Sequence, residues 1–353
     1  MKKKGVYLLS IVFIFFVAFI QNAYAKAPKD PLHIYLSKSL GFVMGQRYSL
    51  NRIKAEYPVL SMQIKMAEIK FNSAFGIANK KIKKELENIL KDRYPAFLVS
   101  MREQISNTLK SQPITQDIAQ QFIEEVNFRA EGIIPSPMLE TLLSYQYREK
   151  PVNEFLREYK SIYRTRGHSK AKGLDFQIEY PRSWSKQEGK RPNVIQLFKN
   201  NYGHGFVYTM IMTKDLVKEA QGNEKLTPQE IKELKTLKGS RELATVTFSD
   251  TNLKEMAHDM GMVNIRNINT KRIIVDRWPG AILEFTGDMQ RLDLTITSHV
   301  KLYLTLYKNH LIFLQFQIGK LPSETEAELE EKESLYDPLF RLIANSLVIQ
   351  SQY

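Results

Sequence analysis

Histidine is the side chain here best suited to acid–base or metal chemistry, and the chain has six: His33, His168, His204, His258, His299 and His310. None has a second histidine three or four residues away, so the spacing of a helix- or turn-based zinc pair is absent. There is no cysteine, which removes thiolate nucleophiles and thiolate ligands. Glu255, His258 and Asp259 fall on one expected helix and could supply two ligands, although a solvated polar face accounts for them as well. The run from Asn200 to Gly205 sets His204 between Gly203 and Gly205, where a loop can hold an imidazole clear of the flanking strands. A hairpin turn is the plainer account, and no serine or cysteine nucleophile stands beside it. Phosphate-loop, dinucleotide, calcium-loop and serine-elbow patterns are absent. The acidic run Glu324, Glu326, Glu328, Glu330, Glu331 and Glu333 has no glycine turn to organise oxygens around an ion, and it suits the start of a helix. These residues name no catalytic set, no metal ligands and no cofactor.

The cations point instead to binding. Phe75, Ala78, Ile82, Leu86 and Ile89 recur at spacings of three and four, which makes one apolar helical stripe. Lys80, Lys81, Lys83 and Lys84 lie largely on the other faces. Such a helix packs its stripe into a core and shows a basic exterior; a membrane-binding helix is the sharper reading. Residues 26–172 carry 25 Lys and Arg against 15 Asp and Glu, whereas 173–353 carry 23 against 23. The excess charge is therefore expected on the leading half, where it would attract an acidic protein partner or an anionic lipid or lipopolysaccharide surface. A merely solubilising face is the competing account. Nucleic acid is not an expected target.

Export is read from the first 25 residues. Lys2, Lys3 and Lys4 precede an apolar run from Val6 to Ile20, and Ala23 and Ala25 are the small residues of a signal-peptidase site, so cleavage is expected after Ala25. The run is short for a bilayer span, which needs roughly 20 residues. The first mature residue would be Lys26, not the cysteine that a bacterial lipid anchor requires. A periplasmic or secreted protein follows. Of the 353 residues, 328 would remain, enough for two cores held without disulfides.

The segment 26–164 reads as a helical domain. Pro58, Pro95, Pro137 and Pro151 suit first-turn positions, Ser136 and Thr115 suit N-caps, and Gly132 suits a left-handed stop. Gly41 and Gly45 permit close helix contact, and with it self-association through this domain. Residues 165–172 lack periodicity and read as a linker. From 173 to 353 the pattern is α+β. Phe176, Ile178 and Tyr180 alternate with polar residues, and further strands are expected at 194–198, 206–212, 263–275, 281–287, 292–306 and 311–318. Expected helices open at Thr227 with Glu230 as a capping box, at Asn252, and near Ser323 with Leu335, Leu339, Leu342 and Ile343 as a stripe. Trp184 and Trp278 suit core or corner packing.

Phe176, Ile178, Tyr180, Pro181 and Trp184, followed by Val194 to Phe198, resemble the opening of the PsbP-like family, and Phe340, Ile343, Ser346, Leu347 and Val348 resemble its end. The resemblance covers about 173 to 349 and implies an α/β/α sandwich with a mainly antiparallel sheet, in a family of mostly exported accessory proteins that bind other proteins. No site residue of that family has a matching motif here. The expected function is that of an exported, non-enzymatic accessory or binding protein of the bacterial envelope. The alternative is a periplasmic hydrolase whose histidine and carboxylates meet only in the fold.

Overall fold

The computed structural model describes residues 31–200, 206–217, 228–291, 294–321 and 323–353. The expected leader and the cleavage after Ala25 lie outside them, as do His204 and Thr227. The chain divides into two compact units, the break falling between Gln146 and Tyr147.

The first unit is helical: α1 (Pro31–Glu56), α2 (Ser61–Leu90), α3 (Tyr94–Lys110), α4 (Gln116–Ala130) and α5 (Met138–Gln146). Pro58 opens a 3-10 turn just before α2, and Pro95 sits in the first turn of α3. Thr115 caps α4 by accepting from Ile118 N–H, and Gly132 follows at φ +89°. Ser136 is not a cap: α5 begins at Met138, two residues further on, and Thr141 donates both its N–H and its hydroxyl to Pro137 O. Gly41 and Gly45 are buried inside this unit. Its core is apolar apart from a few polar groups, of which Arg129 is the charged one to be accounted for. Buried beside Phe42 and Phe122, its guanidinium donates to Gln46 Oε1 at 3.0 Å and pairs with Glu125 at 2.6 Å.

The second unit begins with α6 (Val152–Leu156) and the hairpin of β1 (Lys160–Arg164) and β2 (Gln177–Pro181). Three expectations are corrected here. Residues 160–164 form a strand rather than a helix. Residues 165–172 are the connection inside that hairpin rather than a linker, because Thr165 and Ala171 are buried and the Thr165 hydroxyl donates to Leu174 O. Moving the break also undoes the charge segregation. Residues 26–146 carry 17 Lys and Arg against 12 Asp and Glu, and 147–353 carry 31 against 26, the same surplus on each side.

A seven-stranded antiparallel sheet follows, in the order β3-β4-β5-β9-β8-β7-β6, from β3 (Ser185–Glu188), β4 (Val194–Lys199), β5 (Phe206–Asp215), β6 (Val263–Val275), β7 (Trp278–Arg291), β8 (Leu294–Tyr307) and β9 (His310–Gly319). The short β3 was not expected, since its residues are mostly exposed and polar. One sheet face packs Ile312, Leu314, Phe316 and Tyr303 against Leu339, Phe340 and Ile343 of α10 (Glu326–Asn345). The other packs Leu283, Phe285, Leu302 and Leu304 beneath α8 (Leu237–Thr247) and α9 (Asp250–His258), while α7 (Pro228–Leu234) precedes them. This is the α+β class and the α/β/α sandwich that the resemblance implies. Thr325 and Glu328 form the capping box of α10, so that helix opens at Glu326 rather than at Ser323, and Ser249 caps α9. Trp184 and Trp278 are both buried.

Arg129→Ala would leave Glu125 without its cation and open a void between two rings. It is expected to lower the stability of the helical unit by about 3 kcal/mol, read as an earlier urea midpoint in the far-ultraviolet circular dichroism.

Candidate functional site

The long α2 decides where the lysines go. Ile64, Ala67, Phe71, Phe75, Ala78, Ile82 and Leu86 are all buried, so the stripe expected from sequence packs inward; it starts about three turns earlier than Phe75 and ends on the buried Leu90 rather than on Ile89, which is half-buried. Lys80 and Lys84 stand exposed, and Lys81 and Lys83 are half-buried. The four lysines therefore do not form one patch.

Lys83 is the informative one. Burial, and then the positive charges of Arg47 on α1 and Arg102 on α3, hold its amine below the ordinary lysine range. Helix packing brings these residues together. Tyr48 Oη lies 3.3 Å from Ser106 Oγ, and Arg52 donates to Leu109 O and, at 2.8 Å, to Gln112 O. Those contacts lock α1 alongside α3, with Arg47 next to Tyr48 and Arg102 one turn before Ser106. Among the described residues none of Arg47, Lys83 and Arg102 pairs with a carboxylate. Three like charges within electrostatic reach of one another raise the local positive potential, which favours an anion. Arg47 and Arg102 are distant in sequence and on separate helices, so no local spacing could have singled them out.

The histidines are scattered. His258 is exposed and meets no carboxylate. His168 Nδ1 accepts from Lys170 N–H, which closes a tight turn. His310 lies 3.9 Å from Asp215. Asn200, at the start of the expected His204 loop, is buried and donates to Tyr336 Oη at 2.8 Å.

An ionic cluster around the buried Lys301 lies between the sheet and α10, where the sequence offered no spacing signal. Lys301 donates to Asp337 at 2.5 Å and to Glu284, while Arg341 pairs with Asp337 at 2.7 Å. Burial opposes the lysine's charge, but its two carboxylate partners outweigh burial and raise its pKa. Two cations meet two carboxylates, so the cluster neutralises itself and pins α10 to β7 and β8. Beside it is a groove of about 380 Å³, lined by Ile273, Ile282, Glu284, Lys301, Tyr303 and Arg341. The acidic run at the start of α10 is held by cations: Glu324 by Lys332, and Glu326 by Lys320 and Arg266.

Two buried titrating groups oppose one another. Glu154 accepts from the N–H and the hydroxyl of Ser183, each at 2.7 Å, yet burial pushes its carboxyl up to about 7. His299 lies 3.2 Å from Glu333, and burial drives the imidazole down to about 4, with Lys301 lowering it further and Glu284 and Asp337 pulling the other way. The contact therefore joins an imidazole that burial keeps neutral near pH 7 to the Glu333 carboxyl, whose own pKa burial raises.

No protein-family profile matches the chain, and no curated protein does. Among solved structures, it is similar to the solution structure of cyanobacterial PsbP from Synechocystis sp. PCC 6803, with 14% identity and a TM-score of 0.32 over 54% of this chain and 92% of that one. It is also similar to a crystal structure from Bacteroides thetaiotaomicron VPI-5482, with 12% identity and a TM-score of 0.24 over 50% of this chain and 45% of that one.

The buried pair makes a pH prediction. Glu154 binds its proton more tightly folded than unfolded, so its contribution to stability falls as pH rises from about 4.5 to about 7. His299 binds its proton less tightly when folded, so its contribution grows as pH rises from about 4 to about 6.5. Each spans about 3 kcal/mol, and the slopes oppose where the windows overlap. Glu154→Gln is expected to make stability climb more steeply with pH across that overlap, and His299→Gln to tilt it downward, as read from urea midpoints at several pH values.

Proposed function

We propose that the protein is an exported, non-enzymatic accessory or binding protein of a bacterial envelope, whose helical unit engages anionic groups on an acidic partner or on the envelope surface. The observation that carries this reading is that Arg47, Lys83 and Arg102, from three helices, lie within electrostatic reach of one another, and among the described residues none of them makes an ion pair with a carboxylate. Folding such a cluster costs repulsion, which an anionic ligand relieves. The buried cations Lys301, Lys332 and Arg129, by contrast, each pair with a carboxylate within the fold. The case thus rests on a local cluster rather than on net charge, which the two units share evenly.

The export half of the proposal is supported by the cationic start, apolar run and small residues before Lys26. Among the described residues no helix is long and apolar enough to cross a membrane. When the full chain is expressed in a Gram-negative host, the processed protein is expected to fractionate with the periplasm and to begin at Lys26. A product that begins at Met1 in the cytosol would remove that half.

Anion binding is tested with the chain from Lys26 onward, which contains every described residue, on an immobilised phosphate-rich polyanion. Retention should weaken steeply as salt shortens the screening length from about 10 Å at 0.1 M toward about 3 Å at 1 M. Replacing Arg47 and Arg102 with serine should abolish most of that retention, whereas Lys238→Ser, on an exposed helix of the second unit, should leave it unchanged. Equal retention of all three proteins would overturn the reading.

A further inference from the structure

The outward side of α2 carries a second apolar row. Val59, just before the helix, and Met62, Met66, Ile69 and Ile77 within it are between 52% and 78% exposed. Their spacing of three, four or a sum of these, with Ser73 filling the gap, places them along one line of the helix, opposite the row that ends in the core. Burying an apolar row is the ordinary way to use one, so a helix that buries one row and exposes another has a second surface to cover. About 22 Å of straight ridge runs from Met62 to Ile77.

The residues around this ridge indicate what covers it. Lys65 and Lys70 flank it, and Lys80 and Lys84 continue its line toward the end of the helix; all four are exposed. Lys70 is answered by Glu131 at 2.7 Å, while Lys65, Lys80 and Lys84 have no carboxylate partner among the described residues. Glu87 is the acidic residue on the same side, beyond Lys84 and beside Tyr94. Phe128 and Ile133, both more than half exposed, bracket Glu131 and widen the apolar area on the Lys70 side. A second copy laid on this ridge would set lysines against lysines. A ridge of methionine, isoleucine and valine side chains with cations at its border suits a soft, negatively charged plane.

We propose that the outer face of α2 seats the protein on an anionic phospholipid bilayer, the Met62–Ile77 row entering the boundary between headgroups and acyl chains while Lys65, Lys80 and Lys84 meet lipid phosphates. This rests on the anion-binding reading of the helical unit and names the anion. The helix lies in the interface plane and does not span it. Arg47, Lys83 and Arg102 supply a further phosphate contact on the flank of the same unit.

The test is flotation of the chain from Lys26 onward with vesicles of phosphatidylcholine alone or mixed with phosphatidylglycerol, alongside its affinity for soluble polyphosphate. The protein should float with the phosphatidylglycerol vesicles only. Met66→Gln combined with Ile69→Gln should weaken that partition about tenfold and leave polyphosphate affinity unchanged, since the lost contribution is apolar. Ile77→Gln provides an independent row variant, and all these positions are exposed, so the helical circular dichroism should persist. Replacing Arg47 and Arg102 with serine should weaken both. Polyphosphate binding without vesicle binding, or row variants that float like the parent, would overturn the lipid assignment and leave the anion reading standing. Failure to bind either probe would remove both. A parent that sediments as a dimer and becomes a monomer in the row variant would give the face to a second copy and overturn the proposal.

Discussion

Burial of apolar side chains on both faces of β7, β8 and β9 is the constraint on which the second unit depends. With no cysteine in the chain, no covalent cross-link assists it. Along β8 the side chains alternate, Val300, Leu302, Leu304 and Leu306 on one face and Lys301, Tyr303, Thr305 and Tyr307 on the other. The first face disappears under α8 and α9, and the second under α10, where the rings of Phe316 and Phe340 stack at 4.6 Å. A sheet covered on both sides has no open face left for a large substrate, so exposed chemistry must lie at its ends, on its edges or on the helical unit.

Charges inside this architecture are tolerated where each meets its complement. Lys301 between Glu284 and Asp337, Lys332 against Glu324, and Arg129 against Glu125 are each buried on the cation side. A buried pair adds little net stability beyond an apolar replacement, but breaking one strands a charge, so these pairs fix which residues face one another. Against this pattern the triad on the helical unit differs, because its three charges share one sign.

Part of the β structure was legible because period-two alternation survives where one face of a strand is buried and the other is not. Phe176, Ile178 and Tyr180 mark β2, and the 263–275 stretch is β6 from end to end. The stripe of α2 was legible for the same reason at helical period. What escaped notice was set by partners distant in sequence. β1 is a short strand that exists because β2 hydrogen-bonds to it, and the 165–172 segment looks like a linker until Thr165 is seen to reach Leu174 and Phe176. Placing the break there transferred the cations of 147–172 to the wrong unit and produced a segregation of charge that the fold does not have.

The site was half legible. Lys83 was one of four lysines named together, and its neighbours in sequence do not distinguish it; Arg47 and Arg102 do, and they arrive through the packing of α1 and α3. The exposed row of α2 leaves little trace in the sequence, because a second apolar stripe on the far side of a helix lowers the contrast between its two faces. That arrangement is costly to keep without purpose. An exposed methionine or isoleucine adds nothing to the core of its own domain and raises the risk of aggregation, whereas a polar residue at the same position would solubilise the helix at no loss of packing. Selection for folding alone therefore gives no reason for Met62, Met66, Ile69 and Ile77 to stand in line, while a surface that is apolar within and anionic above does.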